Sequence, residues 1–256
     1  MNDTLKITIV QPDIIWEKPA ENRARLDTLL QESGETDLIA LPEMFTTGFS
    51  MNPSRLYETM DGETIRWMKN KAAGLSAAIT GSLIIQDQGK MLNRCIWASP
   101  DGSVQWYDKR HLYTMGSESK HYSAGSGRLI VEYKGWRICP LICYDLRFPV
   151  WSRNTENYDL LVYVANWPSP RHHVWKNLIV ARSVENQAYC AGVNRTGNDG
   201  AGNSYSGDSV MSDPKGYATF MGDGELVKTF ELSWNELHNF RQKFPLLPDR
   251  DQFTIL

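Results

Sequence analysis

Ile138-Cys-Pro-Leu-Ile-Cys-Tyr-Asp-Leu-Arg-Phe-Pro149 decides how this chain is read. An apolar run of strand length ends in a thiol, passes at once into polar residues, and meets a helix start near Phe148. Such a strand-to-helix junction exposes a side chain at the sheet edge and aims free backbone N–H groups at negative charge developing beside it. Cys143 is therefore a candidate nucleophile. Cys95, Cys139 and Cys190 lie inside apolar strand patterns and read as small core residues. On an extended strand Cys139 and Cys143 stand roughly 13 Å apart, too far to share a disulfide or a metal.

Outward from this junction, short β-branched runs alternate with amphipathic stretches. Strands are expected at Lys6–Val10, Asp37–Leu41, Ala77–Ile85, Leu160–Ala165 and Ala188–Asn194. Helices are expected over Glu21–Gln31, Asp61–Ala73 and His173–Asn186, with Asp61 as N-cap of the second and Glu63 in its first turn. Ser99-Pro-Asp-Gly102 and Lys134-Gly135 are turn sequences between strand-like runs, so two hairpins interrupt the alternation. Further strands are expected in Tyr205–Leu232 and a short helix over Trp234–Phe240. Hairpins mixed with βαβ alternation imply a layered α/β sandwich with mixed sheets. No linker, repeat or low-complexity tract divides residues 1–256, which reads as a single domain.

Composition removes several function classes. Lys plus Arg number 27 against 30 Asp plus Glu, a net charge of -3, which lacks the basic excess that nucleic-acid backbones demand. The acidic Met-Asn-Asp start does not resemble a signal peptide, and the longest apolar runs fall well short of the ~18 residues of a membrane span. A cytoplasmic protein with no nucleic-acid or membrane partner is the expectation. There is no G-x-G-x-x-G, phosphate loop, H-E-x-x-H or G-x-S-x-G in the chain.

A thiol at neutral pH needs a base or a cation beside it. None of His111, His121, His172, His173 and His238 stands in a context that marks it as that partner. Glu43 does: Leu38-Ile-Ala-Leu-Pro-Glu-Met-Phe45 ends a buried strand in an acid, where burial strengthens a carboxylate as a base. Lys109 likewise follows a strand, in Trp106-Tyr-Asp-Lys-Arg-His-Leu112.

Taken in order, Pro42-Glu43, Tyr107-Asp-Lys-Arg-His-Leu112 and Cys143-Tyr-Asp-Leu-Arg-Phe-Pro149 resemble the three motif blocks of the nitrilase superfamily of carbon–nitrogen hydrolases. The resemblance runs from Ile7-Thr-Ile-Val-Gln-Pro12 through Ala181-Arg-Ser-Val-Glu-Asn-Gln187, and within the superfamily it is greatest to the ω-amidases, which hydrolyse the terminal amide of 2-oxo acids such as 2-oxoglutaramate. It implies a four-layer αββα sandwich, a homodimer, and a Cys–Glu–Lys site that needs neither cofactor nor metal. By this resemblance Cys143 is the nucleophile, Glu43 the base and Lys109 the oxyanion cation, with Glu118 at the place of a second acid. The backbone N–H of Tyr144 is the natural second oxyanion donor. Arg147 is a candidate for the substrate carboxylate. Phe45, Tyr113, Tyr144 and Trp167 are candidate walls, and Asn166 is expected at the mouth. Other branches stay open at this point: an amidase for deaminated glutathione, an N-carbamoyl hydrolase or a nitrilase. So do a non-catalytic binding module and a Cys–His hydrolase.

Overall fold

The computed structural model describes residues 3–255. The strands, in chain order, are β1 (Thr4–Gln11), β2 (Leu38–Ala40), β3 (Ala78–Asp87), β4 (Lys90–Ala98), β5 (Val104–Asp108), β6 (Val131–Tyr133), β7 (Trp136–Ile142), β8 (Leu160–Val164), β9 (Tyr189–Val193), β10 (Thr196–Asn198), β11 (Ser204–Ser206), β12 (Val210–Ser212), β13 (Ala218–Phe220) and β14 (Leu226–Ser233). The helices are α1 (Pro19–Leu29), α2 (Pro53–Leu56), α3 (Glu63–Leu75), α4 (Pro149–Ser152), α5 (His172–Asn186) and α6 (Trp234–Lys243).

Two six-stranded mixed sheets form, in the orders β14-β1-β2-β3-β4-β5 and β13-β12-β9-β8-β7-β6, and β10-β11 make a separate hairpin. Each sheet has a parallel centre, β1-β2-β3 in one and β7-β8-β9 in the other, flanked by antiparallel strands. Side-chain alternation decides what each face meets. Leu5, Ile7 and Ile9, with Leu38, Ala40, Cys95 and Trp97, turn inward and share one core with the second sheet. Ile39, Leu41, Ile79, Ile96 and Ala98 turn outward and pack against Leu26 and Leu29 of α1 and Ile65, Met68 and Ala72 of α3. Trp175 and Ile179 of α5 join the core of the second sheet. The layer order is thus α, β, β, α, as the sequence resemblance implies.

Both hairpins form at the expected turns. Lys134 and Gly135 have φ of 50° and 86°, the doubly left-handed pair that a tight hairpin turn needs and that glycine at the second position makes inexpensive. Two expectations are corrected. The N-cap of α3 is Gly62 and not Asp61; the Glu58 carboxylate, reaching in from outside the helix, accepts the N–H of Thr64 at 2.7 Å. The helix expected near Phe148 is the single turn α4, because residues Cys143–Arg147 first wind into a 3₁₀ turn. No helix among the described residues is long and apolar enough to cross a membrane.

The carboxyl ends of the parallel strands point the same way within each sheet, and β5, two antiparallel steps from β3, also runs that way. The residues that follow β2, β5, β7 and β8 therefore gather at one edge of the sandwich, where open α/β sheets bind their ligands.

Candidate active site

Glu43, Lys109 and Glu118 meet there, and all three are buried. The Lys109 ammonium lies 2.8 Å from Oε1 of Glu43 and 3.0 and 2.9 Å from the two oxygens of Glu118. Burial alone would push the Lys109 pKa down, but the charges of Glu118, then Glu43, outweigh it and leave the value raised above that of a free lysine. Burial raises the Glu118 carboxyl, with Lys109 pulling the other way. The two acids and one base form a compact triplet in which the ammonium is held charged from two sides.

Asn93 was not singled out by the sequence, yet it braces both acids. Its Nδ2 donates to Oε1 of Glu43 at 2.8 Å and to Oε1 of Glu118 at 3.1 Å. Its own Oδ1 accepts from the Ser82 hydroxyl, which in turn accepts the N–H of Met44. A signal was present: in Met91-Leu-Asn-Arg-Cys-Ile-Trp97 the period of two puts Asn93 on the same face as Cys95 and Trp97, an amide on an apolar face. Buried polar groups of that kind are hydrogen-bonded for a reason.

Cys143 stands at the end of β7 with φ of 42°, a left-handed backbone that a residue with a Cβ adopts only under constraint. The constraint comes from Asp145. Its buried carboxylate accepts the N–H of Ile142 and the hydroxyl of Tyr107 on one oxygen, and the N–H and ring nitrogen of His111 on the other. This clip ties the thiol turn to the segment that carries Lys109. The residue as a whole is half-buried, and the one polar contact of its thiol among the described residues is the carbonyl of Asn166 at 4.0 Å. Burial, then the negative charge of Glu43, raise its pKa well above the ordinary thiol value despite the opposing pull of Lys109.

Glu43, Lys109 and Cys143 form the floor of a cavity of about 360 Å³, a size suited to a small molecule. Arg147, Tyr113, Tyr144, Asn166 and Trp167 line it. The Arg147 guanidinium lies 5.1 Å from the centre of the Trp167 ring, and Arg171, which the sequence reading did not single out, lies 5.4 Å from that of Tyr113. Neither has a carboxylate partner among the described residues. Asn203 and Tyr205 of the β10-β11 hairpin close one side, held by Asp199, which accepts from Asn203 and from the Tyr205 hydroxyl.

Phe45 is not a wall of this cavity. Met44 has φ of 44° and reverses the chain, so the Phe45 ring turns away into the outer core, near Trp67. There it occupies a slot over Gly81, where any Cβ would come within 2.8 Å of the ring. No histidine lines the cavity: His111 is stacked on Phe148 at 3.7 Å and committed to Asp145, while His172 and His173 are exposed.

Comparison with known proteins gives a consistent result. Residues 6–223 match the Carbon-nitrogen hydrolase family. The chain is 46% identical to the omega-amidase YafV of Escherichia coli (strain K12), over 98% of both chains. It is 33% identical to a 2-oxoglutaramate amidase of Bacillus subtilis (strain 168), over 95% of this chain and 96% of that protein. Among solved structures, a CN-hydrolase superfamily protein from Xanthomonas campestris with an arsenic adduct in its active site superposes with a TM-score of 0.96 at 45% identity, covering 98% of this chain and 99% of that one.

Proposed function

The chain belongs to the carbon–nitrogen hydrolase family, and from that premise we propose that this amidase is an ω-amidase, converting 2-oxoglutaramate to 2-oxoglutarate and ammonia through a thioester on Cys143. The observation that carries the reading is the charge layout of one cavity. A carboxylate–ammonium–carboxylate triplet lies beneath a thiol, and two guanidinium groups without carboxylate partners among the described residues stand on the wall. A 2-oxo acid ω-amide has the matching ends: a neutral carboxamide for the thiol and a carboxylate for Arg147, with Arg171 as a second cation. Tyr113, Tyr144 and Trp167 bound the short carbon chain between them.

In the proposed reaction Glu43 takes the Cys143 proton as the sulfur attacks the amide carbon. The transfer moves one negative charge from carboxylate to sulfur and adds none, so the buried site never has to accommodate a new charge. Lys109 faces the oxyanion as it forms, in a pocket where little water screens it, and the Tyr144 N–H is the second donor. Glu118 keeps Lys109 paired while Glu43 is protonated. Glu43 then passes its proton to the departing nitrogen and ammonia leaves. Water, deprotonated by the same carboxylate, attacks the thioester; the tetrahedral intermediate collapses, the acid is released and the sulfur regains its proton.

The same reading treats residues 1–256 as one hydrolase domain, acting as a cytoplasmic homodimer without cofactor or metal; light scattering checks the dimer. The test of the reaction is ammonia release from 2-oxoglutaramate, a ureido acid and a nitrile, with intact-protein mass after brief exposure. The 2-oxo amide is expected to turn over fastest and to leave its acyl mass on the peptide holding Cys143. Faster turnover of the ureido acid with release of carbon dioxide, or of the nitrile, would replace the proposal with another activity of the family.

A further inference from the structure

Asn166 follows β8 and touches both halves of the chemistry. Its backbone N–H donates to Oε2 of Glu43 at 2.9 Å, and its carbonyl lies 4.0 Å from the sulfur of Cys143. Its side-chain Nδ2 donates to the backbone carbonyl of Glu43 at 2.6 Å. That bond fixes the orientation of the side chain, because a carbonyl can only accept and Oδ1 can only accept too. Oδ1 is left with no hydrogen-bond partner among the described residues, although Asn166 is only 5% exposed and lines the cavity. A buried acceptor without a donor is costly, and at a binding site it marks where a ligand donor belongs.

We propose that Oδ1 of Asn166 accepts one N–H of the substrate's scissile carboxamide. The inference rests on the amidase reading above and specifies how that site recognises nitrogen. A carboxamide carries two N–H donors, and one of them faces Glu43 when the carbonyl carbon sits against Cys143. The other needs an acceptor on the side of Asn166. In the tetrahedral intermediate the nitrogen becomes pyramidal, and its lone pair must face the proton that Glu43 has taken. An N–H anchored on Oδ1 sets that rotation before the proton moves, so the contact strengthens where the rate is decided. Asn166 thereby distinguishes an amide from an ester of the same acid, whose leaving oxygen has no hydrogen to donate.

The experiment compares kcat/KM for 2-oxoglutaramate and for the ω-methyl ester of 2-oxoglutarate in the wild-type protein and in Asn166→Ala. Loss of the bracket on Glu43 lowers both rates, whereas loss of the acceptor lowers only the amide rate. The amide-to-ester ratio is expected to fall about tenfold or more. A parallel fall in both rates, with the ratio unchanged, would show that Asn166 only holds Glu43 and would overturn the proposal. Asn166→Asp provides the second arm, measured toward low pH, because its protonated carboxyl donates to the Glu43 carbonyl as Nδ2 does and keeps an acceptor oxygen in place. Its ratio is expected to stay within about threefold of wild type even where both rates drop, and a ratio reduced about tenfold or more would also overturn the proposal, including where Asn166→Ala fails to fold. Failure of the wild-type protein to release ammonia from any 2-oxo amide would instead remove the amidase reading itself.

Discussion

The turn after β2 that carries Glu43 and the turn after β7 that carries Cys143 begin alike and end differently. Each follows the carboxyl end of a parallel strand, and each reverses through a non-glycine residue of positive φ, Met44 at 44° and Cys143 at 42°. In the first turn the functional side chain is locked: both oxygens of Glu43 are engaged, by Lys109, Asn93 and the Asn166 N–H. In the second the backbone is clipped by Asp145, while the only polar contact of the thiol among the described residues is a long one to a carbonyl. A base that must take and return a proton at one place is immobilised, and a nucleophile that must travel toward carbon is left unbound. The two turns should therefore respond differently to substitution.

Cys143→Ala tests the free side most severely. Ammonia release is expected to fall by at least about four orders of magnitude, with the unfolding midpoint near that of wild type, since one small group without a close hydrogen bond replaces another. Glu43→Gln tests the locked side. Activity should drop by about 10²- to 10⁴-fold through loss of the base, but here stability should fall as well. Both Glu43 oxygens accept, and a glutamine must turn its NH₂ toward either the Asn166 N–H or the Lys109 ammonium, a donor facing a donor at a cost of about 1–3 kcal/mol. Urea unfolding of the two variants measures the contrast; equal midpoints would erase it.

Asp145→Ala moves the comparison to what clips the thiol turn. It strands the N–H groups of Ile142 and His111 and the Tyr107 hydroxyl, so a loss of about 3 kcal/mol or more is expected, together with a lower kcat as the Cys143 turn relaxes. Phe45→Ala is the complementary change, two residues from Glu43 on the opposite face of its turn. It should cost about 3–5 kcal/mol in stability while the folded protein keeps a kcat/KM within a few-fold of wild type, measured well below its unfolding midpoint.

The contrast between Glu43 and Phe45 also shows what sequence could and could not convey. Glu43, Lys109 and Cys143 were legible because each lies at a strand end and strand ends follow from local pattern, with the family resemblance supplying their roles; Glu118, in a 3₁₀ turn beyond β5, came from the resemblance alone. Tyr113 and Tyr144, close after two of those strand ends, and Asn166 and Trp167, which follow the end of β8, were legible for the same positional reason. Phe45 was misplaced because alternation stops at a reversal, and nothing in Pro42-Glu-Met-Phe45 announces a positive φ at Met44. Asn93 became functional only through the pairing of β3 with β4, which sets it opposite Ile84 and beneath two acids from distant segments. Arg171 precedes α5 and reads as a surface cation until the fold brings it over Tyr113. The cap of α3 by Glu58 is likewise a contact from outside the helix.

The smallest effect concerns pH. The Cys143 thiol holds its proton more tightly in the folded protein than in the unfolded chain, where it titrates near about 8.5. A group with a raised folded value contributes its full stability below the unfolded value and loses it as pH rises toward the folded one. Cys95 and Cys139, pushed up to about 12 by burial, and Cys190, also raised by burial, behave the same way. Unfolding free energy should therefore decline with pH above about 8.5, and Cys143→Ala should remove one of four such contributions, flattening the slope by up to about 1.4 kcal/mol per pH unit. Lys109, raised by its two acids, keeps its charge across that window, so the wild-type rate should show no loss of the oxyanion cation up to about pH 10. Urea unfolding at several alkaline pH values, beside kcat/KM over the same range, separates the two. A slope unchanged by Cys143→Ala would mean that the sulfur titrates no higher in the folded protein than in the unfolded chain, against the upward shift that burial and Glu43 impose.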